Sequence, residues 1–207
     1  GIRDGISRSY ICELENIGGE EIRARILEED TNLSERPAEL YLFQGLPKSD
    51  KMELIIQKMT ELGVYRIVPV SMKRSVVKLD KKKADSKVKR WNMISESAAK
   101  QSKRSIIPEI MPVCTFNEAL EMSQQLDVKL LPYECADGMA KTKKIIENLK
   151  GNESIGIFIG PEGGYDLDEL SKAKEEGWEE ITLGKRILRT ETAGMMLMSV
   201  LMYMNEK

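Results

Sequence analysis

Histidine is absent from the 207-residue sequence. That excludes every mechanism built on an imidazole base or ligand, the Ser-His-Asp triad included. Proton transfer must then use carboxylates, lysine, tyrosine, substrate groups or water. Cysteine is scarce too. Cys12, Cys114 and Cys135 are too scattered for a zinc site and odd in number for a disulfide framework, and they read as buried or idle thiols. No apolar run approaches the roughly 18 residues a membrane-spanning helix requires; the longest candidate, Ala193 to Met204, is interrupted by Gly194 and Ser199. Nor does the start look like a secretory signal, since Arg3, Asp4 and Arg8 leave no apolar stretch there. The expectation is a soluble, cytoplasmic protein with no metal site.

An overall surplus of positive charge is also missing, the net charge being −2. Its distribution says more. Met72 to Arg104 holds twelve basic residues against three acids, a local charge of +9, which leaves −11 on the remainder. On an acidic protein such a stretch reads as a docking surface for polyanions, with a solvated lysine-rich helix as the plain alternative. With 41% hydrophobic and 32% charged residues the balance is that of a folded globular chain.

Two patterns divide the sequence. Ser9 to Leu14 and Glu21 to Leu27 alternate around Asn16-Ile17-Gly18-Gly19, a hairpin signal. Ala38 to Gln44 is read as a third strand of the same small β-domain, spanning 1–46. From residue 47 onwards the pattern becomes α/β. Met52, Ile55, Ile56, Met59 and Leu62 recur at helical period behind a capping-box pair, Asp50 and Glu53. Val64 to Val70 is a strand, Lys87 to about Lys103 a helix, and Ile106 to Val113 extended. Thr115 and Glu118 cap a helix to about Gln125. Strands at Val128–Tyr133, Ser154–Ile159 and Glu180–Leu183 then alternate with helices at Thr142–Leu149, Asp166–Glu176 and Thr190–Asn205. Alternation of this kind implies a mostly parallel sheet covered on both faces.

Three constellations can carry chemistry. The first runs from the apolar strand ending at Ile159 through Gly160-Pro161-Glu162-Gly163-Gly164 into a helix. Ligands bind just beyond the carboxyl ends of strands in open α/β sheets, and glycines let a backbone approach them. It is neither a Walker loop nor a dinucleotide fingerprint, and a plain tight turn is the alternative. The second is Leu183-Gly184-Lys185-Arg186-Ile187-Leu188-Arg189-Thr190-Glu191-Thr192-Ala193, a loop leading to a helix capped at Thr190. Such a loop offers backbone groups to an adenine edge, apolar side chains to its faces and charge to a polar tail; a capped helix with a surface ion pair is the alternative. The helix that follows is apolar on nearly every face and needs burial all round, in this core or against a partner. The third joins Lys73, Arg74 and Ser75 to Gln101 and Arg104. The arginines suit phosphate or base contacts and Gln101 a base edge. Trp91 nearby sits on an apolar helical face and is assigned to the core.

In this order the segments resemble the RsmE family of 16S ribosomal RNA uridine-N3 methyltransferases, within the SPOUT class. The likeness covers about Lys48 to the C-terminus. It rests on Lys48-x-Asp50-Lys51-Met52-Glu53, Gln57-Lys58, Thr60-Glu61-Leu62-Gly63-Val64, Arg74-Ser75-Val76, Trp91, Gln101-Ser102-x-Arg104 and Pro108, and above all on the 159–164 and 183–193 motifs. The resemblance implies a SPOUT-type sheet with a C-terminal trefoil knot, an exception to unknotted folds, behind a partial PUA-like β-barrel that binds RNA. It implies S-adenosyl-L-methionine as cofactor, held by Leu131, Pro132 and Glu134, by Ile159, Gly160, Gly163 and Gly164, and by Leu183, Gly184, Ile187, Leu188, Thr190, Thr192 and Ala193. Arg74, Gln101, Arg104, Glu162, Arg189 and Glu191 become the catalytic candidates, with Glu162 and Glu191 the carboxylates available to take the N3 proton. Lys73, Arg74, Ser75 and Arg104 become RNA contacts. The implied partners are 16S ribosomal RNA or the small ribosomal subunit, and a second copy of the chain.

The sequence departs from the family pattern twice. Members usually carry a longer β-domain with a histidine-containing segment, so this chain is expected to begin partway through it. Where the family usually reads Glu-Ala-x-Glu-Gln, this chain has Ser97-Ala98-Ala99-Lys100-Gln101. Two other readings remain open: a SPOUT ribose 2′-O-methyltransferase acting on transfer or ribosomal RNA, and a non-catalytic RNA-binding protein.

Overall fold

The computed structural model describes residues 2–3, 9–19, 21–30, 38–134 and 138–205; Cys135 lies outside them. Near the start, β1 (Ile2–Arg3), β2 (Ser9–Ile17) and β3 (Ile22–Asp30) form an antiparallel three-stranded sheet. The expected hairpin is there, with the Gly18 amide donating to the Glu21 carbonyl at 2.8 Å. Its apolar side chains Leu14, Ile17, Ile22 and Ile26 are all exposed.

Beyond residue 38 strands and helices alternate. They are β4 (Glu39–Gly45), α1 (Lys51–Glu61), β5 (Arg66–Ser71), α2 (Lys81–Gln101), β6 (Glu109–Ile110), β7 (Cys114–Thr115) and α3 (Phe116–Met122). Then come β8 (Val128–Pro132), α4 (Met139–Glu147), β9 (Ser154–Ile159), α5 (Leu167–Glu175), β10 (Glu179–Ile181) and α6 (Thr190–Asn205). The strands build one seven-stranded parallel sheet in the order β10-β8-β9-β4-β5-β6, with β7 also paired to β5. In β4 and β9, Leu40, Leu42, Phe43, Ile155, Ile157 and Phe158 are all at most 1% exposed. Strands apolar on both faces belong inside a parallel sheet. That corrects the reading of Ala38–Gln44 as a third strand of the small β-domain: β4 lies at the centre of the parallel sheet, between β9 and β5.

Helices cover both faces. One core layer joins Ile55, Ile56 and Met59 of α1, Trp91 of α2, and Leu197, Met198 and Leu201 of α6 to the sheet. The opposite layer gathers Phe116 and Leu120 of α3 and Leu170 and Ala173 of α5 around Phe43, Phe158 and Trp178, whose ring centroids lie 5.2–5.7 Å apart. Trp91 is buried, as its helical face implied. The last helix buries one stripe in this core, while Met196, Tyr203 and Met204 stay exposed.

Several boundaries differ from expectation for identifiable reasons. Helix α2 begins six residues before Lys87, at Lys81, because Asp80 accepts the Lys83 amide at 2.9 Å as its N-cap. Three lysines in its first turn oppose the helix dipole and hide that start. The capping boxes of Thr115–Glu118 and Asp166–Glu169 both form. The one expected from Asp50 and Glu53 does not, since Asp50 lacks the extended backbone of an N-cap and Glu53 pairs with Arg90 at 2.7 Å. Pro69, inside β5, offers no amide; neighbouring β6 pairs only with residues 66–67 and β7 only with 70–71, so the outer ladder is broken beside it.

Candidate active site

A cleft of about 600 Å³ opens at the carboxyl ends of β8, β9 and β10, where open α/β sheets hold their ligands. Three segments line it: Pro132 to Glu134 after β8, Ile159 to Tyr165 after β9, and Thr182 to Thr190 between β10 and α6. Lys51, Arg74 and Ala193 complete the wall. Five cations (Lys51, Arg74, Lys185, Arg186 and Arg189) face two acids, Glu134 and Glu162, so the cleft favours anionic groups on an otherwise acidic protein.

The turn after β9 is fixed from all sides. Tyr165, fully buried, donates to the Phe158 carbonyl at 2.6 Å. The Gly164 amide donates to the Pro161 carbonyl at 2.9 Å, and Gly164 has φ +68°. A Cβ on Gly163 would lie 2.9 Å from the Arg74 carbonyl oxygen, so only glycine lets the 72–75 loop pack here. In return the Arg74 guanidinium donates to the Gly163 carbonyl at 3.4 Å. Glu162 accepts the Lys48 amide on both carboxylate oxygens, at 3.1 and 3.2 Å, and the Lys51 ammonium at 3.1 Å. Partial burial pushes its carboxyl up, but its own amide, that of Lys48 and the Lys51 charge outweigh this and hold it below the usual carboxylate range. Beneath the turn, Gln44 Nε2 donates to Thr190 Oγ1 at 2.9 Å and Thr190 Oγ1 donates to the Gly160 carbonyl at 2.6 Å. This buried relay ties β4, β9 and the start of α6 together.

The facing loop is held only at its ends. Thr142 of α4 donates to the Thr182 carbonyl at 3.0 Å and accepts the Thr182 amide at 3.1 Å, while Thr190 anchors the far end. Between them, the amides of residues 185–188 donate no hydrogen bond among the described residues. Ile187 is 82% exposed while lining the cleft. Free backbone donors beside an exposed apolar side chain suit the edge and face of a purine.

Most of the residues expected at the cofactor site meet in this cleft: Pro132, Glu134, Ile159, Gly160, Gly163, Gly164, Leu183, Gly184, Ile187, Leu188, Thr190 and Ala193 all line it. So do Arg74, Glu162 and Arg189 of the catalytic candidates. Others stand apart. Leu131 is 1% exposed in the sheet core, and Thr192 is exposed on α6 outside the cleft lining. Glu191 does not line the cleft but lies 3.3 Å from Lys51. Gln101 is exposed at the end of α2, outside the cleft lining. Arg104 is buried, with its guanidinium donating to the Thr60 and Val64 carbonyls at 3.2 and 2.6 Å; it closes the C-terminus of α1. Ser75 is buried, and its hydroxyl accepts the Met72 amide at 3.3 Å to form a turn. Lys73 is bound to Asp166 at 2.8 Å and Asp168 at 2.6 Å, which draws the 72–75 loop onto the start of α5. Ser97 and Lys100 are exposed outside the cleft lining, Lys100 paired with Glu96 at 2.7 Å.

The sequence alone assigned no role to Lys51, Gln44, Tyr165 and Thr182, while Tyr133 and Arg186 fall inside segments expected to hold the cofactor without being singled out. Lys51 stood inside a quoted motif, and Tyr165 directly follows the paired glycines. Gln44 carried a usable signal, a polar residue at the end of an otherwise apolar strand. Among the described residues no group of histidine, cysteine or carboxylate side chains is placed to hold a metal ion, and no helix is long and apolar enough to cross a membrane. Burial raises the Cys114 thiol to about 12, so it stays protonated and inert.

Comparison with known proteins agrees with this geometry. Residues 34–202 match the family model described as an RNA methyltransferase domain. The chain is 38% identical over 198 residues to the ribosomal RNA small subunit methyltransferase E of Bacillus subtilis, covering 94% of this chain and 77% of that protein. It is 35% identical to that of Mesomycoplasma hyopneumoniae, over 86% and 75% of the two chains. A crystal structure of the Neisseria gonorrhoeae ribosomal RNA small subunit methyltransferase E bound to S-adenosyl methionine superposes with a TM-score of 0.80 at 32% identity, over 95% of this chain and 79% of that one. A cleft at the strand ends, with its glycine turn and its open loop, thus accompanies likeness along nearly the whole sequence, and the chain belongs to the ribosomal RNA small subunit methyltransferase E family.

Proposed function

We propose that this chain transfers a methyl group from S-adenosyl-L-methionine to N3 of a uridine in 16S ribosomal RNA. The observation that carries the reading is the cleft itself. One wall is rigid, one loop has unspent amides and an exposed Ile187, and cations are in excess, in a family whose relatives are named for ribosomal RNA methylation. The cofactor supplies a sulfonium-bound, electrophilic methyl group. The chain's own residues do the rest by positioning and charge. Amides 185–188 and Ile187 take the adenine, Gly160 to Gly164 let the backbone approach, and Arg74 and Arg189 face the negative charge that develops on the uracil oxygens. Lys51 engages both Glu162 and Glu191, which weighs against either as proton acceptor. The cationic cleft favours loss of the N3 proton to solvent instead.

The finer architecture is part of the proposal. Residues 159–193 form the trefoil knot, and the sheet of β1 to β3 is a PUA-like RNA-binding element; undiminished 16S RNA binding by a chain lacking residues 1–37 would remove that role. Exposed Met196, Tyr203 and Met204 on α6 suit a homodimer contact, which light scattering on the purified protein tests directly. The protein acts in the cytoplasm, where ribosomal RNA is.

The deciding experiment is methylation of unmodified 16S RNA or small subunits, followed by mass spectrometry of the nucleosides. 3-Methyluridine is expected. A 2′-O-methylated nucleoside would replace this reading with ribose methylation. Absence of calorimetric heat with S-adenosyl-L-methionine would leave only RNA binding.

A further inference from the structure

Lys51 sits in the first turn of α1, outside both glycine-containing loops, yet its ammonium lies 3.1 Å from Glu162 and 3.3 Å from Glu191. The first carboxylate belongs to the turn after β9 and the second to the first turn of α6. We propose that Lys51 is a positioning residue for the cofactor pocket: it clamps these two segments at the spacing the bound nucleotide needs. This rests on the reading of the cleft as a S-adenosyl-L-methionine site.

An exposed ion pair at this spot would contribute little. Here the side chains of Lys51, Glu162 and Glu191 are only 29%, 23% and 14% exposed. Glu162 has other support, from the Lys48 amide. Glu191 does not: its Oε2 is buried and makes no hydrogen bond of good geometry, so Lys51 is the charge that offsets its burial. Removing one partner of such a set leaves the other desolvated and uncompensated, which costs more than the pair itself contributes. Lys51 is also covalently distant from what it joins. Residues 162 and 191 lie on separate segments, and the buried Gln44–Thr190–Gly160 relay holds them only from below. At the rim the ammonium is the single cation touching both carboxylates among the described residues.

Calorimetry of S-adenosyl-L-methionine binding to the full chain and its variants tests this. Lys51→Met is expected to weaken binding about tenfold, on the scale of an uncompensated, partly buried charge. Lys51→Arg keeps the bridge and should stay within about threefold of the parent. Adding Glu191→Gln to Lys51→Met should weaken binding no further, since the neutral amide no longer needs a cation. Binding by Lys51→Met within twofold of the parent, or additive losses in the double variant, overturns the assignment. If Lys51→Met does not fold, Lys51→Arg and Glu191→Gln carry the test: Glu191→Gln opens one leg of the clamp and should weaken binding more than Lys51→Arg, and equal losses, or none in Glu191→Gln, overturn the assignment. Failure of the parent chain itself to bind would instead sink the cofactor reading.

Discussion

The two walls of the cleft are built on opposite principles. The turn after β9 is over-determined: Tyr165, Arg74, Glu162, Pro161 and the Gln44–Thr190 relay each fix part of it. The loop from Gly184 to Arg189 is anchored at Thr182 and Thr190, with its central amides unspent. Rigid geometry suits the side where a reacting group must be aimed. An open loop suits the side that closes on a nucleotide, because its donors are satisfied only when the ligand arrives. With a nucleotide seated as proposed, the first wall adds precision at no ordering cost, and the second gains its hydrogen bonds from the ligand at a cost in conformational entropy.

The largest effect should come from deforming the rigid wall. Gly163→Ala places a Cβ against the Arg74 backbone at 2.9 Å, an overpacking penalty of about 1–3 kcal/mol. If the turn carries that strain, cofactor affinity falls roughly ten- to hundred-fold; unchanged affinity would show that the turn is as adaptable as the loop opposite. A smaller effect is expected from the open wall. Ile187→Ser should weaken cofactor binding by about fivefold, near 1 kcal/mol of lost apolar contact, without moving the thermal midpoint of the free protein. Hydrogen exchange on the same protein should find amides 185–188 rapid alone and protected with cofactor; protection without ligand would erase the contrast. The smallest effect is in acid. Glu162 is held below the usual range as described, and Asp166 likewise, chiefly by the Lys73 hydrogen bond. Unfolding returns both to ordinary values of about 4, so below that pH the unfolded chain binds more protons. Their stabilisation is whole above this value and is lost as pH falls through the depressed folded values. Glu162→Gln should therefore flatten the acid limb of the melting curve, whereas Ile187→Ser should leave it alone.

Much of this was legible in the residues, and the exceptions are physical. The apolar strands at 154–159 and 39–45 read as strands, but nothing local says which sheet a strand joins; β4 was assigned to the wrong neighbour because its partners are over a hundred residues away in one case. The glycine motif and the 183–193 loop could be placed at a site because loops at strand ends have recognisable composition. Arg104 and Ser75 show what a basic stretch can hide. A polar side chain near a basic stretch looks like a ligand contact, whereas both satisfy backbone groups inside the fold. Lys51 escaped notice since its role depends on two carboxylates brought to it from separate segments. Ion-pair geometry of that sort is a property of tertiary structure and has no period.

The proline in β5 has an effect beyond local pairing. Where the sheet ends on that side, an approaching strand meets two stubs, β6 and β7, each two residues long and separated by residues 111–113 alongside Pro69 of β5. Such a border gives another polypeptide no continuous row of amides and carbonyls to copy. The break beside Pro69 thus serves as a guard against edge-to-edge aggregation, written into the middle of a core strand.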